Sequence, residues 1–177
     1  MNTTTLALPL FGLRSALLEK GFELAYPAYA ALTRRPIRRW QTSREKMLQY
    51  SAGSLGRTLG VFLHQYGFNP MPGFENHDVF HVLLGYGPSA TEEASMQWCL
   101  IGNGKRSAFA WLAALAGAAL FPEHWGNFHA AYLRGRRMRR FHHWQFEYLL
   151  QENLLEMRHF IQPTRQTYKR SGSDQCW

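Results

Sequence analysis

Aspartate is almost absent from this 177-residue chain. Asp78 and Asp174 are its only two, and Asp174 sits in the polar run at the C-terminus. Asp78 is therefore the one Asp in the body of the protein. Cysteine is equally scarce: Cys99 and Cys176 cannot build a disulfide framework, and a reducing compartment is the expectation. Strand formers are few, with three Val (61, 79, 82) and three Ile (37, 101, 161), which argues against an all-β fold. No run approaches the ~18 consecutive apolar residues that a membrane-spanning helix needs. The longest, Ala108 to Phe121, has fourteen. The first thirteen residues lack the positive n-region of a secretory signal.

What the chain does have is apolar content and positive charge. Apolar residues make up 46% and charged residues 18%, which excludes a disordered chain. The length suits one domain with a real core. Net charge is +8 with His neutral, and sixteen of the twenty basic residues are Arg. Arg suits phosphates and carboxylates, so an anionic surface is a reasonable partner.

Ala, Leu, Glu, Gln, Arg and Met fill the long segments and predict an all-α, single-domain bundle of about six to seven helices over 1–162, with a disordered tail at 163–177. A first helix is expected from Gly12 to Arg35, kinked at Pro27, and a second from Ser43 to Gln65. In the second, Gly53, Gly56 and Gly60 suggest a close backbone approach. A loop follows at 67–73. Asn76 to Leu84 and Ala90 to Ile101 then read as two short helices around Gly85-Tyr86-Gly87-Pro88, with Ser89 and Glu92 as a capping box. Ala108 to Phe121, apolar on every side, reads as a buried central helix. Helices over Glu123–Met138 and Phe141–Ile161 complete the set.

The chemistry concentrates in His77-Asp78-Val79-Phe80-His81. Histidines four apart on a helix lie about 40° apart around its axis, a placement that brings two imidazoles to one metal ion. The turn at 85–88 reverses the chain, and His81 and Glu93 both sit ~6–8 Å from the hairpin end at ~1.5 Å per residue. In an antiparallel hairpin they are level, so Glu93 can add a carboxylate to the His77/His81 face. Asp78 flanks the site as a ligand or as an acceptor behind one.

HDxxH, eleven residues, then Glu resembles the metal motif of the family of the fourth Coq protein of ubiquinone (coenzyme Q) biosynthesis. Here it reads His77, Asp78, His81 and Glu93. The stretch His77 to Gly85 is similar to the family's motif helix. Glu93-Ala94 with Trp98, the Ala-rich segment 108–120 and Tyr132 to Arg137 are similar to later segments, so the likeness spans about 51–160. The resemblance implies an all-helical, membrane-associated protein acting on a polyprenylated aromatic intermediate. The implied reaction removes the ring carboxylate and hydroxylates the same carbon; the alternative is a non-enzymatic metal- and lipid-binding scaffold. His77, Asp78, His81 and Glu93 would serve as ligands and catalytic residues around a divalent ion, Zn²⁺ foremost, with Mn²⁺, Fe²⁺ or Mg²⁺ as alternatives. The expected partners are a prenylated aromatic lipid, a membrane surface, other quinone-biosynthesis proteins and a second copy in a homodimer. The expected location is cytoplasmic, at the inner face of a bacterial membrane, or the matrix side in a mitochondrion.

Rival readings fit less well. A zinc peptidase needs the Glu of HExxH as general base, and Asp78 in that slot is one methylene shorter. An HD-type phosphohydrolase could use His64 but has no later Asp before Asp174. His124 with His129, and His142 with His143, are poorly spaced for a metal. The Arg-rich stretches at 34–44 and 134–140 come without aromatic platforms for bases, so no nucleic acid is expected. They are paired instead with Trp40, Phe141 and Trp144, a pattern suited to a membrane surface. The small side chains of 108–120 are expected to leave a groove for a lipid tail.

Overall fold

The computed structural model describes residues 12–16, 20 and 39–163. Residues 12–16 and 20 are helical, as expected; the rest of the first helix, the Pro27 kink and the tail beyond Pro163 lie outside the described residues. Seven α-helices follow: α1 (Arg44–Met47), α2 (Leu55–Gln65), α3 (Glu75–Leu84), α4 (Ala90–Gly102), α5 (Ala108–Leu120), α6 (Trp125–Arg137) and α7 (Leu154–Ile161), with 3₁₀ turns at Pro122–His124 and Phe146–Leu149. Among the described residues the only β-type pairing is an isolated bridge between Ser54 and Asn153. The fold is all-α.

Two long helices expected from the sequence are broken. The 43–65 segment divides because Gly53 turns with φ +81° and Ser54 then caps α2, its side chain accepting from the Arg57 N–H. Gly56 and Gly60 do serve close approach. A Cβ on Gly56 would lie 2.8 Å from the Leu150 carbonyl oxygen, and one on Gly60 would lie 2.9 Å from Met47 Cβ. The 141–161 segment is helical only from Leu154, where Asn153 accepts from the Leu155 and Glu156 N–H groups. Its first half instead pairs with the start of α2: the N–H groups of Leu55 and Gly56 donate to Glu152 and Leu150.

The central helix is α4, not α5. Eight of its residues are buried, including Ala94, Met96, Gln97, Cys99 and Leu100. It is gripped through small residues: Gly117 of α5 abuts Ala94, Gly135 of α6 abuts the Cys99 carbonyl, and Gly102 abuts the Tyr132 carbonyl. In α5 the small residues Ala110, Ala113, Ala114 and Gly117 face this contact, which turns Trp111, Leu112 and Leu115 outward at 42%, 53% and 54% exposure. An all-apolar sequence does not reveal which face is covered.

The α3–α4 hairpin is held from below. Gly85, with φ +75°, ends α3 in the left-handed conformation. The orphan carbonyls at that end are met by cations from two other helices. Arg134 donates to the Leu84 carbonyl, and Arg158 donates to those of Leu83 and Val82, matching the negative end of the helix dipole. Ser89 caps α4 without a side-chain bond to the backbone. Glu92 bonds the Ser89 hydroxyl and the Gly87 N–H in place of the expected reciprocal box.

Candidate metal centre

His77 and His81 of α3 meet Glu93 of α4. His77 Nε2 and His81 Nε2 are 3.2 Å apart. Glu93 Oε2 is 3.4 Å from the first and 3.1 Å from the second. Each residue offers one ligand atom to this group. A tetrahedral ion with bonds of ~2.0–2.1 Å has ligand-to-ligand edges of ~3.3 Å. The three observed distances match one face of such a tetrahedron.

Proton accounting shows that a cation belongs between these atoms. The Tyr86 carbonyl lies 3.2 Å from His81 Nδ1, and a carbonyl can only accept, so Nδ1 carries the proton. Gly85 makes this contact possible, since its turn folds the Tyr86 carbonyl back over the ring. Nε2 of the neutral ring is then a lone pair, and so is the Glu93 oxygen it faces. Two acceptors at 3.1 Å need a cation between them, either a proton or a metal ion. The acid–base behaviour follows. Burial pushes the His81 imidazolium down, but the hydrogen bond and charge of Glu93 outweigh it and raise the pKa. Burial pushes the Glu93 carboxyl up, but the charges and hydrogen bonds of His77 and His81 hold it well below the usual carboxylate range.

The surroundings fix these groups. Phe62 of α2 stacks on His81 at 5.4 Å, and Phe74 and Phe109 meet the His77 ring edge-on at 6.3 Å. Gln97, fully buried one turn along α4, donates from Nε2 to Glu93 Oε1 at 2.7 Å. Lys105 lies over the Phe80 ring at 4.8 Å; burial lowers its ammonium to about 8 while Glu93 pulls it back up. Sequence reasoning missed Phe62, Gln97, Lys105 and the Tyr86 carbonyl. Only Gln97 left a signal, since it stands four residues after Glu93.

Asp78 does not join the three ligand atoms. It is half-buried beside them, its carboxyl raised to about 6 by burial and drawn down by His77 and His81. The other histidines play no part here. His64 and His129 are exposed, His124 contacts Asn127, and His142 binds the buried Asn103 side chain.

No family profile and no curated protein matches the chain in sequence. In structure it is similar to a crystallised protein of Nostoc punctiforme provisionally assigned to ubiquinone biosynthesis. The TM-score is 0.60 over 86% of this chain and 80% of that one, at 14% identity. That likeness establishes a shared fold.

Proposed function

We propose that this chain is a metal-dependent protein of ubiquinone biosynthesis that acts on a polyprenylated aromatic acid. The observation that carries the reading is the convergence of His77, His81 and Glu93 on a common point, within a fold shared with a protein provisionally assigned to that pathway. The HDxxH-to-Glu pattern of the sequence supports it independently. His77, His81 and Glu93 would hold the ion, with Asp78 adding negative charge alongside. A two-nitrogen, one-carboxylate set suits Zn²⁺ and also accepts Mn²⁺ or Fe²⁺. When bound, the ion supplies a positive charge and Lewis acidity for a substrate carboxylate.

The chain's own groups do the rest. The Tyr86 carbonyl holds the His81 tautomer, Gln97 orients Glu93, and Phe62, Phe74 and Phe109 wall the imidazoles with apolar surface. Lys105 adds a cation near the anionic ligand set. Replacing a ring carboxylate by hydroxyl is a two-electron oxidation, so dioxygen or a redox partner is the co-substrate. A largely apolar groove of about 640 Å³ between Trp144, Tyr148, Leu149, Glu152, Met157 and Phe160 offers surface for an apolar chain, but none of its lining residues belongs to the metal centre. The groove expected along 108–120 is filled by the packing of α5 on α4.

The test is metal analysis of purified protein by mass spectrometry, with lipid extraction of the same sample and a product assay on a prenylated hydroxybenzoate. About one divalent ion per chain is expected, lost in the His77→Ala/His81→Ala double variant. Near-stoichiometric metal in that variant would overturn the site. Bound prenyl lipid without turnover, under dioxygen and with candidate redox partners, would favour the scaffold reading.

A further inference from the structure

Gln97 is completely buried on the helix that carries Glu93, yet only half of its amide has a protein partner. Nε2 donates to Glu93 Oε1 at 2.7 Å, while the buried Oε1 of Gln97 accepts from nothing among the described residues. A residue selected to fill space at this position would be Leu or Met, because a buried amide with an unmet acceptor is unfavourable. The hydrogen bond to Glu93 is thus the one protein contact that uses its polarity.

That contact divides the Glu93 carboxylate into two unequal oxygens. Oε1 is engaged by Gln97, whereas Oε2 alone faces His77 and His81 at 3.4 and 3.1 Å. A carboxylate free to rotate can bring both oxygens to a cation, which favours larger ions of higher coordination number. A carboxylate pinned at one oxygen cannot.

We propose that Gln97 is the positioning residue of this centre: it holds Glu93 to one-oxygen ligation and thereby keeps the site four-coordinate and selective for zinc-type ions. This inference rests on the metal reading of the triad and adds its selectivity.

The experiment uses the full-length chain loaded with Co²⁺ as a spectroscopic replacement for Zn²⁺. Visible d–d absorption is read, since it is strong for four-coordinate and weak for six-coordinate cobalt. Zn²⁺ and Mn²⁺ affinities are measured by competition with a chromophoric chelator. Wild type is expected to give the strong band. Gln97→Met, which keeps the length and removes the donor, should weaken the band, lower Zn²⁺ affinity about 10–100-fold and narrow the Zn²⁺/Mn²⁺ ratio. Gln97→Lys, which restores a donor of similar reach, should keep the strong band. A cooperative thermal melt for each variant separates misfolding from loss of positioning. No uptake of Co²⁺ or Zn²⁺ by wild type overturns the metal reading and this inference together. Uptake by wild type with a weak band, a Gln97→Met protein indistinguishable from wild type, or a weak band in folded Gln97→Lys overturns the role of Gln97 and leaves the metal reading standing.

Discussion

At the scale of single residues, the site is a balance between one carboxylate and two imidazoles, and its pH dependence has a definite sign. In the metal-free protein the raised pKa of His81 means that the folded state holds a proton more tightly than the unfolded chain. That contribution is fully present below about pH 6.5, the unperturbed value, and fades as pH rises through the folded value. Asp78, raised to about 6, acts in the same direction. Glu93 is depressed, so its contribution holds above the usual carboxylate range and is lost only on strong acidification. The metal-loaded protein should respond in the opposite way, because protons compete with the ion for the imidazoles. Apo protein is therefore expected to melt at a higher temperature at pH 6 than at pH 8, and the metal-loaded form at a lower one. Burial lowers the His142 and Lys105 pKa values, which works against the apo trend; His142 is unchanged in Glu93→Gln, whereas Lys105 there loses the carboxylate that raises it. The apo trend should shrink in Glu93→Gln, and scanning calorimetry of both proteins checks it. An unchanged trend would mean that the Glu93–imidazole pair is not its source.

At the scale of elements, glycine content sets how the helices meet. Gly117 and Gly135 stand where α5 and α6 touch α4, and a Cβ at either would overlap Ala94 or the Cys99 carbonyl. Gly117→Ala and Gly135→Ala should each cost ~1–3 kcal/mol, as overpacking does. Gly126, near the start of α6, has nothing within 4 Å of its Cβ position. Gly126→Ala should be neutral or stabilise by ~0.4–1 kcal/mol through the unfolded state. Urea titrations of the three variants test this, and equal midpoints would refute the close-packing account. Asn103 joins elements by a different route. Its buried amide donates to the carbonyls of Gly135 and Arg139 and accepts from the Phe141 and His142 N–H groups. Asn103→Ala should leave those groups unmet at ~1–3 kcal/mol each, which makes it more damaging than either glycine change.

For the molecule as a whole, the question is how a strongly basic protein meets its surroundings. No helix among the described residues is long and apolar enough to cross a membrane. Of the aromatic residues expected at a membrane surface, Trp40 is 8% exposed and Phe141 fully buried, whereas Trp144 is half-buried and lines the open groove. An exposed apolar group beside the Arg-rich stretch after α6 is Phe160, with the Arg139 guanidinium over its ring at 4.7 Å. Binding to anionic vesicles at ~1 kcal/mol per surface charge should fall with salt, and should weaken in Arg137→Glu/Arg140→Glu. Flotation with anionic and neutral vesicles decides it. Salt-independent binding to both would assign the arginines another role.

The sequence by itself determined the all-α class, the α3–α4 hairpin and the pairing of His77 and His81 with Glu93. The signals for all three are local: helical spacing, a Gly-rich stop and a short reversal, to which Arg134 and Arg158 add support from distant chain. It also marked Gly56 and Gly60 as points of close approach. What tertiary structure decided depends on groups far away in sequence. The helices expected at 43–65 and 141–161 broke because the starts of α2 and α7 pair with each other across about a hundred residues. Central position went to α4 because small residues from α5 and α6 converge on it, whereas the sequence of α5 is apolar all round and carries no sign of which side is covered. The site's second layer was decided the same way. The Phe62 and Phe109 rings reach the imidazoles from helices outside the hairpin, whereas the exclusion of Asp78 from the point where the other three meet is local, since helical rotation turns it about 100° from His77.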